Sequence, residues 1–80
     1  MHEMSVAQRI IDTVSGYGAL RHIFISVGLQ SCVHPRMLLR AYEQLKPMTS
    51  ARAAKLHMNW GTGEDIQVLY IEVENARDTH

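Results

Sequence analysis

The chain has very little with which to hold itself together covalently or through a structural metal. Its 80 residues include a single cysteine, Cys32. One thiol cannot form an internal disulfide, and it excludes a zinc site built from CxxC pairs. We therefore expect a reducing compartment and no structural zinc.

An excess of charge of either sign is also missing. Eight basic and eight acidic side chains cancel, and no Lys/Arg cluster stands out. Without such a cluster little counterion release is available to drive binding to nucleic acid, so we expect no nucleic-acid partner. No apolar run approaches the roughly 20 residues of a membrane span, and no secretory signal is recognisable. These absences predict a cytoplasmic protein with no membrane partner.

Catalytic motifs are absent as well. No set of serine, cysteine and histidine residues forms a recognisable nucleophile motif, and no glycine-rich phosphate loop follows a predicted strand. Cys32 falls in a predicted loop, and we interpret it as unreactive. The sequence therefore predicts a binding protein and not an enzyme.

What the sequence does have is clear hydrophobic periodicity. Apolar residues spaced three and four apart predict helices at 5–17 and 35–46. Alternating apolar residues predict strands at 22–29, 54–60 and 66–74. In the last of these the alternation changes parity, which predicts a β-bulge near residues 69–70.

Boundary residues support these helices. Ser5 with Gln8 three residues later forms a capping-box pattern at the start of the first helix. Pro35 suits the first turn of the second helix, and His34 before it is interpreted as an exposed cap residue. Pro47 ends that helix.

The simplest fold for this order is α+β, with two helices on one face of a three-stranded mixed sheet. We predict one domain over residues 1–80, in the order helix, strand, helix, strand, strand. The first two strands would run parallel through the helical crossover, and the last two would pair as an antiparallel hairpin through Gly61-Thr62-Gly63. Such a sheet has two open edges, which would allow a homodimer.

The opening triplet Met1-His2-Glu3 has the donors of a metal chelate. The terminal amine and the His2 backbone nitrogen can hold one metal in a five-membered ring, and the His2 imidazole can close a second ring. The backbone nitrogen or the carboxylate of Glu3 adds a further donor. Nitrogen-rich tetragonal sites suit Ni(II) or Cu(II). By itself, a histidine at the second position is more often without a metal role.

Five segments, in order along the chain, are similar to segments of one known protein family. They are MHEMSVA at 1–7, ISVG at 25–28, VHP with Leu38 at 33–38, AKLHM at 54–58 and the strand at 66–74. Together they resemble the HypA/HybF family, whose members deliver nickel for [NiFe]-hydrogenase maturation. The resemblance implies that Met1, His2 and Glu3 bind Ni(II). It also implies a HypB-like maturation GTPase or a hydrogenase large subunit as the partner.

The chain departs from that family in one module. Family members insert a zinc domain with two CxxC pairs between the last two strands. Here Trp60-Gly61-Thr62-Gly63-Glu64 takes that place without a cysteine. The alternative function is therefore a metal-free protein-interaction or assembly module on the same scaffold.

Two further histidines fall on neighbouring predicted strands. His22 and His57 lie on the polar faces of those strands, so they could approach each other. Two ligands make a poor metal site, and we interpret both as structural.

Overall fold

The computed structural model describes residues 2–74 of the chain. Five main elements occur within this span: α1, His2–Thr13; β1, Leu20–Gly28; α2, Pro35–Leu45; β2, Lys55–Gly61; and β3, Ile66–Val73. Short 3-10 helices follow the two α-helices, at Ser15–Tyr17 and Lys46–Met48. The predicted α+β class and the order helix, strand, helix, strand, strand are confirmed.

The first helix begins earlier than predicted. α1 starts at His2, so Ser5 lies within the helix and does not cap it. The acidic Glu3 in the first turn suits the positive end of the helix, and its contact with His34 holds that turn in place. The helix also ends earlier, at Thr13, and the chain continues as a 3-10 turn to Gly18, which has a φ of +86°. α2 begins at Pro35 with His34 as its N-cap, as predicted.

The strand order in the sheet is β2-β1-β3. β2 runs parallel to β1, as predicted for the helical crossover. The predicted hairpin between the last two strands is wrong, because β3 pairs antiparallel with β1 and not with β2. Placing β1 in the centre gives the most buried of the three strands hydrogen-bonded neighbours on both sides.

The connection between β2 and β3 shows how the chain achieves this order. It runs from Gly61 to Ile66 across the end of β1 without folding back on β2. The Gly28 N–H donates to the Asp65 carbonyl at 2.9 Å. A Cβ at Gly28 would press against the Gly63 carbonyl oxygen and would lie 2.9 Å from that of Asp65. The crossing therefore requires a residue without a side chain at the end of β1.

The predicted irregularity in the last strand is confirmed. Phe24 aligns with Tyr70, but the next residue of β1, Ile25, aligns with Val68. Leu69 is thus the extra residue of a β-bulge. Ile66, Val68 and Ile71 pack against the core on one face despite their mixed parity.

The core lies between the helices and one face of the sheet, which we call the inner face. Its buried residues come from both helices, the inner face and the loops: Val6, Ala7, Ile10, Ile11, Val14, Leu20, Ile23, Ile25, Val27, Val33, Leu38, Ala41, Tyr42, Ala51, Ala54 and Leu56. Among residues 2–74, no helix packs on the opposite, outer face. Within residues 2–74, no helix has both the length and the apolar character needed to cross a membrane.

Candidate functional site

The predicted nickel-binding triplet lies at the start of α1. Met1 falls outside the described residues, so its part of the prediction stays a prediction. His2 is the first residue of α1 and its side chain is exposed, whereas Glu3 is half-buried. The imidazole of His2 is therefore accessible to a metal from solvent.

Glu3 connects the beginnings of the two helices. Its Oε2 accepts a hydrogen bond from the backbone N–H of His34 at 3.0 Å, across 31 residues of sequence. The His34 N–H holds the pKa of the Glu3 carboxyl below its ordinary value. The backbone N–H of Glu3 and the nearby imidazoles of His2 and His34 act in the same direction, and desolvation opposes them. Glu3 is thus ionised and anchored at neutral pH.

The side chain of His34 has its own role, as the sequence predicted. Its Nδ1 accepts a hydrogen bond from the Met37 N–H at 3.4 Å and so caps α2. This single residue caps one helix with its side chain and anchors the other through its backbone. The sequence gives no signal for the second of these contacts.

The donors available for nickel at this end are mostly backbone nitrogens. The first N–H groups of a helix have no carbonyl partner within it, and His2 and Glu3 are the first two residues of α1. Within residues 2–74, no three His, Cys, Asp or Glu side chains converge as a metal site. The described residues offer backbone nitrogens and the His2 imidazole as donors, and do not form a cage of side chains.

A second group of polar and aromatic side chains lies on the outer face of the sheet. His22 of β1 and His57 of β2 meet there, with His22 Nδ1 and His57 Nε2 2.9 Å apart. Both side chains are half-buried. The prediction that these two histidines approach each other is confirmed.

Aromatic rings surround this pair and hold it in place. Phe24 stacks on His57 with ring centres 4.4 Å apart and an angle of 11° between the planes. On its other side Phe24 stacks on Tyr70 at 4.4 Å. This row of rings, Tyr70, Phe24 and His57, is not predicted from the sequence, because the predicted hairpin places β3 beside β2 and away from Phe24. The register of β1 with both neighbours brings the three rings into line.

Cys32 lies in the loop between β1 and α2. It is exposed and adopts a positive φ of 64°. Its sulfur lies 4.0 Å from the Gln30 carbonyl oxygen. No contact among residues 2–74 gives this thiol a place at either of the two sites.

No protein-family model matches the chain, and no curated protein matches it. The resemblance to the HypA/HybF family therefore stays a prediction.

Proposed function

We propose that the chain is a nickel-binding accessory protein of the HypA/HybF type, which carries Ni(II) as cargo in the cytoplasm. Met1, His2 and Glu3 bind the ion. A HypB-like maturation GTPase or a hydrogenase large subunit receives it. The observation that supports this most directly is the anchored first turn of α1, in which the His34 N–H fixes Glu3 and leaves the His2 imidazole exposed.

The anchoring of Glu3 separates two ways in which this residue can contribute. Its carboxylate already accepts a backbone hydrogen bond, so it acts best as a positioning group. Its backbone nitrogen, together with that of His2, has no carbonyl partner within α1 and can coordinate nickel. A set of nitrogen ligands from the amine, the backbone and one imidazole favours the tetragonal geometry of Ni(II).

Titration of the untagged chain with Ni(II) tests this proposal. We expect a visible d–d band and heat of binding in the unsubstituted chain. His2→Gln removes the imidazole but keeps a bulky second residue, which favours retention of Met1. We expect the nickel affinity to fall by about tenfold or more, because even the loss of a residue that only hydrogen-bonds to a metal ligand can lower metal affinity by that factor. Acetylation of the terminal amine should have the same effect.

Cys32→Ser is the matched control. The thiol is exposed and is a good metal ligand in general, so it is the most obvious source of adventitious binding. We expect Cys32→Ser to bind nickel as the unsubstituted chain does. Equal affinity in the unsubstituted chain and His2→Gln would overturn the proposal.

The second candidate function is a metal-free interaction module. The observation that favours it is the outer face of the sheet, where Phe24 and the 56%-exposed Tyr70 are not covered by a helix. β2 and β3 also form the two open edges, which can pair with a second copy or another chain. The discriminating result is the absence of any nickel band in the untagged chain, combined with concentration-dependent dimerisation on size-exclusion chromatography.

A further inference from the structure

The histidine pair on the outer face has the spacing of two ligands on one metal as well as that of a hydrogen bond. His22 Nδ1 and His57 Nε2 are 2.9 Å apart. Two nitrogens bound at right angles, each about 2.0 Å from a metal, lie about 2.8 Å from each other. Each ring must turn to direct its lone pair at the ion, but the two nitrogens need not separate.

The geometry points to a second metal site, formed by His22 and His57, which takes Cu(II) or Ni(II) and leaves the other coordination positions to water. Two imidazole nitrogens at right angles fit the tetragonal coordination that these ions prefer. Within the described span no third metal-binding side chain converges on the pair. The site is therefore open and its metal exchangeable. It does not depend on the nickel function proposed for the first turn of α1.

Two neutral imidazoles can bind a metal without a net loss of protons. A neutral imidazole carries one N–H, on either of its two nitrogens. In the hydrogen-bonded pair one ring donates to the other. A metal requires only that both rings carry the proton on the far nitrogen, which is Nε2 of His22 and Nδ1 of His57.

The surroundings of the pair keep the two rings close to each other. The stack of His57 on Phe24 restricts the orientation of the His57 ring. His22 packs against the same Phe24, with ring centres 6.0 Å apart. Because the two histidines also stand on hydrogen-bonded neighbouring strands, little conformational freedom remains to be lost on binding.

Two charged residues flank the site and largely offset each other. In the sheet register His22 aligns with Lys55 on one side and with Glu72 on the other. Both flanking residues are exposed. The lysine weakens the attraction for a cation, and the carboxylate strengthens it and is a potential third ligand after a rotamer change. The charge balance therefore allows a divalent cation to approach.

The test compares matched proteins that all carry His2→Gln, so that the first turn of α1 contributes equally and weakly. Cu(II) is the probe, followed by its d–d band and its electron paramagnetic resonance spectrum. We expect His22→Gln and His57→Gln each to lower the Cu(II) affinity by about tenfold or more. Cys32→Ser is the control, because it removes an exposed thiol that lies at neither of the two sites. Its affinity should equal that of the parent.

Equal Cu(II) affinity in the parent and both sheet variants would overturn the site. A second measurement does not need substitutions in the sheet and decides the matter if one of those variants fails to fold. Substoichiometric Cu(II) added to the His2→Gln protein should broaden the imidazole proton resonances of His22 and His57 first. Broadening that is confined to other residues would contradict the proposal.

The two metal proposals can fail separately. A chain with His22→Gln and His57→Gln keeps the first turn of α1 and should still bind Ni(II) if the proposed function holds. The His2→Gln chain keeps the histidine pair and should still bind Cu(II). Loss of one signal with retention of the other identifies which proposal is wrong.

Discussion

The two faces of the same sheet differ in what covers them and therefore in what they do. On the inner face of β1, Ile23 and Ile25 are 0% exposed beneath the helices. The side chains that alternate with them along β1 lie on the outer face, where His22 and Phe24 are only half-buried. One strand thus contributes both to the core that stabilises the fold and to a face that remains accessible. Alternate residues of this strand therefore differ sharply in their exposure to solvent.

The largest expected effect concerns the inner face. Ile23→Ala removes a fully buried side chain beneath the helices and leaves a cavity, so we expect a loss of about 2–5 kcal/mol in the free energy of unfolding. Ser26→Ala, on the outer face of the same strand, is the control and should change it by about 0.5 kcal/mol or less. Urea denaturation measures both. Similar losses would show that the outer face is also part of the core.

The next effect concerns Gly28 at the end of β1, where the connection between β2 and β3 crosses the strand. Gly28→Ala places a methyl group against the backbone of Gly63 and Asp65, and backbone cannot easily move aside. We expect a loss of about 1–3 kcal/mol in the free energy of unfolding. Gly16→Ala is the control, because its Cβ would meet nothing within 4 Å. Equal effects of the two substitutions would contradict the close crossing over β1.

A smaller effect is expected for the hydrogen bond that joins α2 to Ala54, the residue before β2. The buried Tyr42 donates its hydroxyl hydrogen to the Ala54 carbonyl at 2.8 Å. Tyr42→Phe should cost about 0.5–1.5 kcal/mol, near the lower limit because Lys46 Nζ also donates to this carbonyl, at 3.2 Å. Urea denaturation at neutral pH measures the loss. A cost above this range would show that Lys46 does not compensate.

The same substitution has a signature in alkaline solution. Burial, assisted by the neighbouring Glu43 carboxylate, raises the pKa of Tyr42 from 10.0 to about 12. The folded chain therefore keeps the Tyr42 hydroxyl protonated to a higher pH than the unfolded chain does. The stability that this difference contributes is complete below pH 10 and is lost as pH rises towards about 12. Tyr42→Phe should lose less stability over that window than the unsubstituted chain. Parallel pH profiles would contradict the burial of this hydroxyl.

A last effect, of similar size, concerns the aromatic row on the outer face. Tyr70→Leu removes the stack on Phe24 but keeps an apolar side chain, so we expect a loss of about 0.5–1.5 kcal/mol. A double-mutant cycle with Phe24→Leu isolates the coupling between the two rings. Zero coupling would show that the rings are neighbours without mutual stabilisation, and the contrast between the faces would become sharper.

Much of the local structure could be predicted from the sequence. Pro35 at the start of α2 and the alternation of Ile23, Ile25 and Val27 depend on neighbouring residues alone. The parity change in β3 likewise predicted the bulge at Leu69, since a period of two admits no other way to keep one face apolar. The approach of His22 to His57 followed from the same alternation once the strands were placed side by side.

What could not be predicted depends on contacts between distant residues. The bond from the His34 N–H to Glu3 joins backbone to side chain, and no sequence pattern encodes it. It holds the first turn of α1, which begins at His2 and not at the predicted Ser5. The pairing of β3 with β1 could not be predicted either, because a short glycine-containing connection suits a hairpin with β2 as well as a crossing to the other side of β1.

The number, type and order of the α-helices and strands follow from the amino-acid sequence, because each depends on periodicity and on terminating residues close in the chain. The central position of β1, and with it the row Tyr70, Phe24, His57 on the outer face, depends on the tertiary fold. Strand order depends on how completely each strand can be buried and hydrogen-bonded, and β1, the most buried of the three, takes the position with a partner on both sides. That balance involves the whole fold and cannot be read from any one segment.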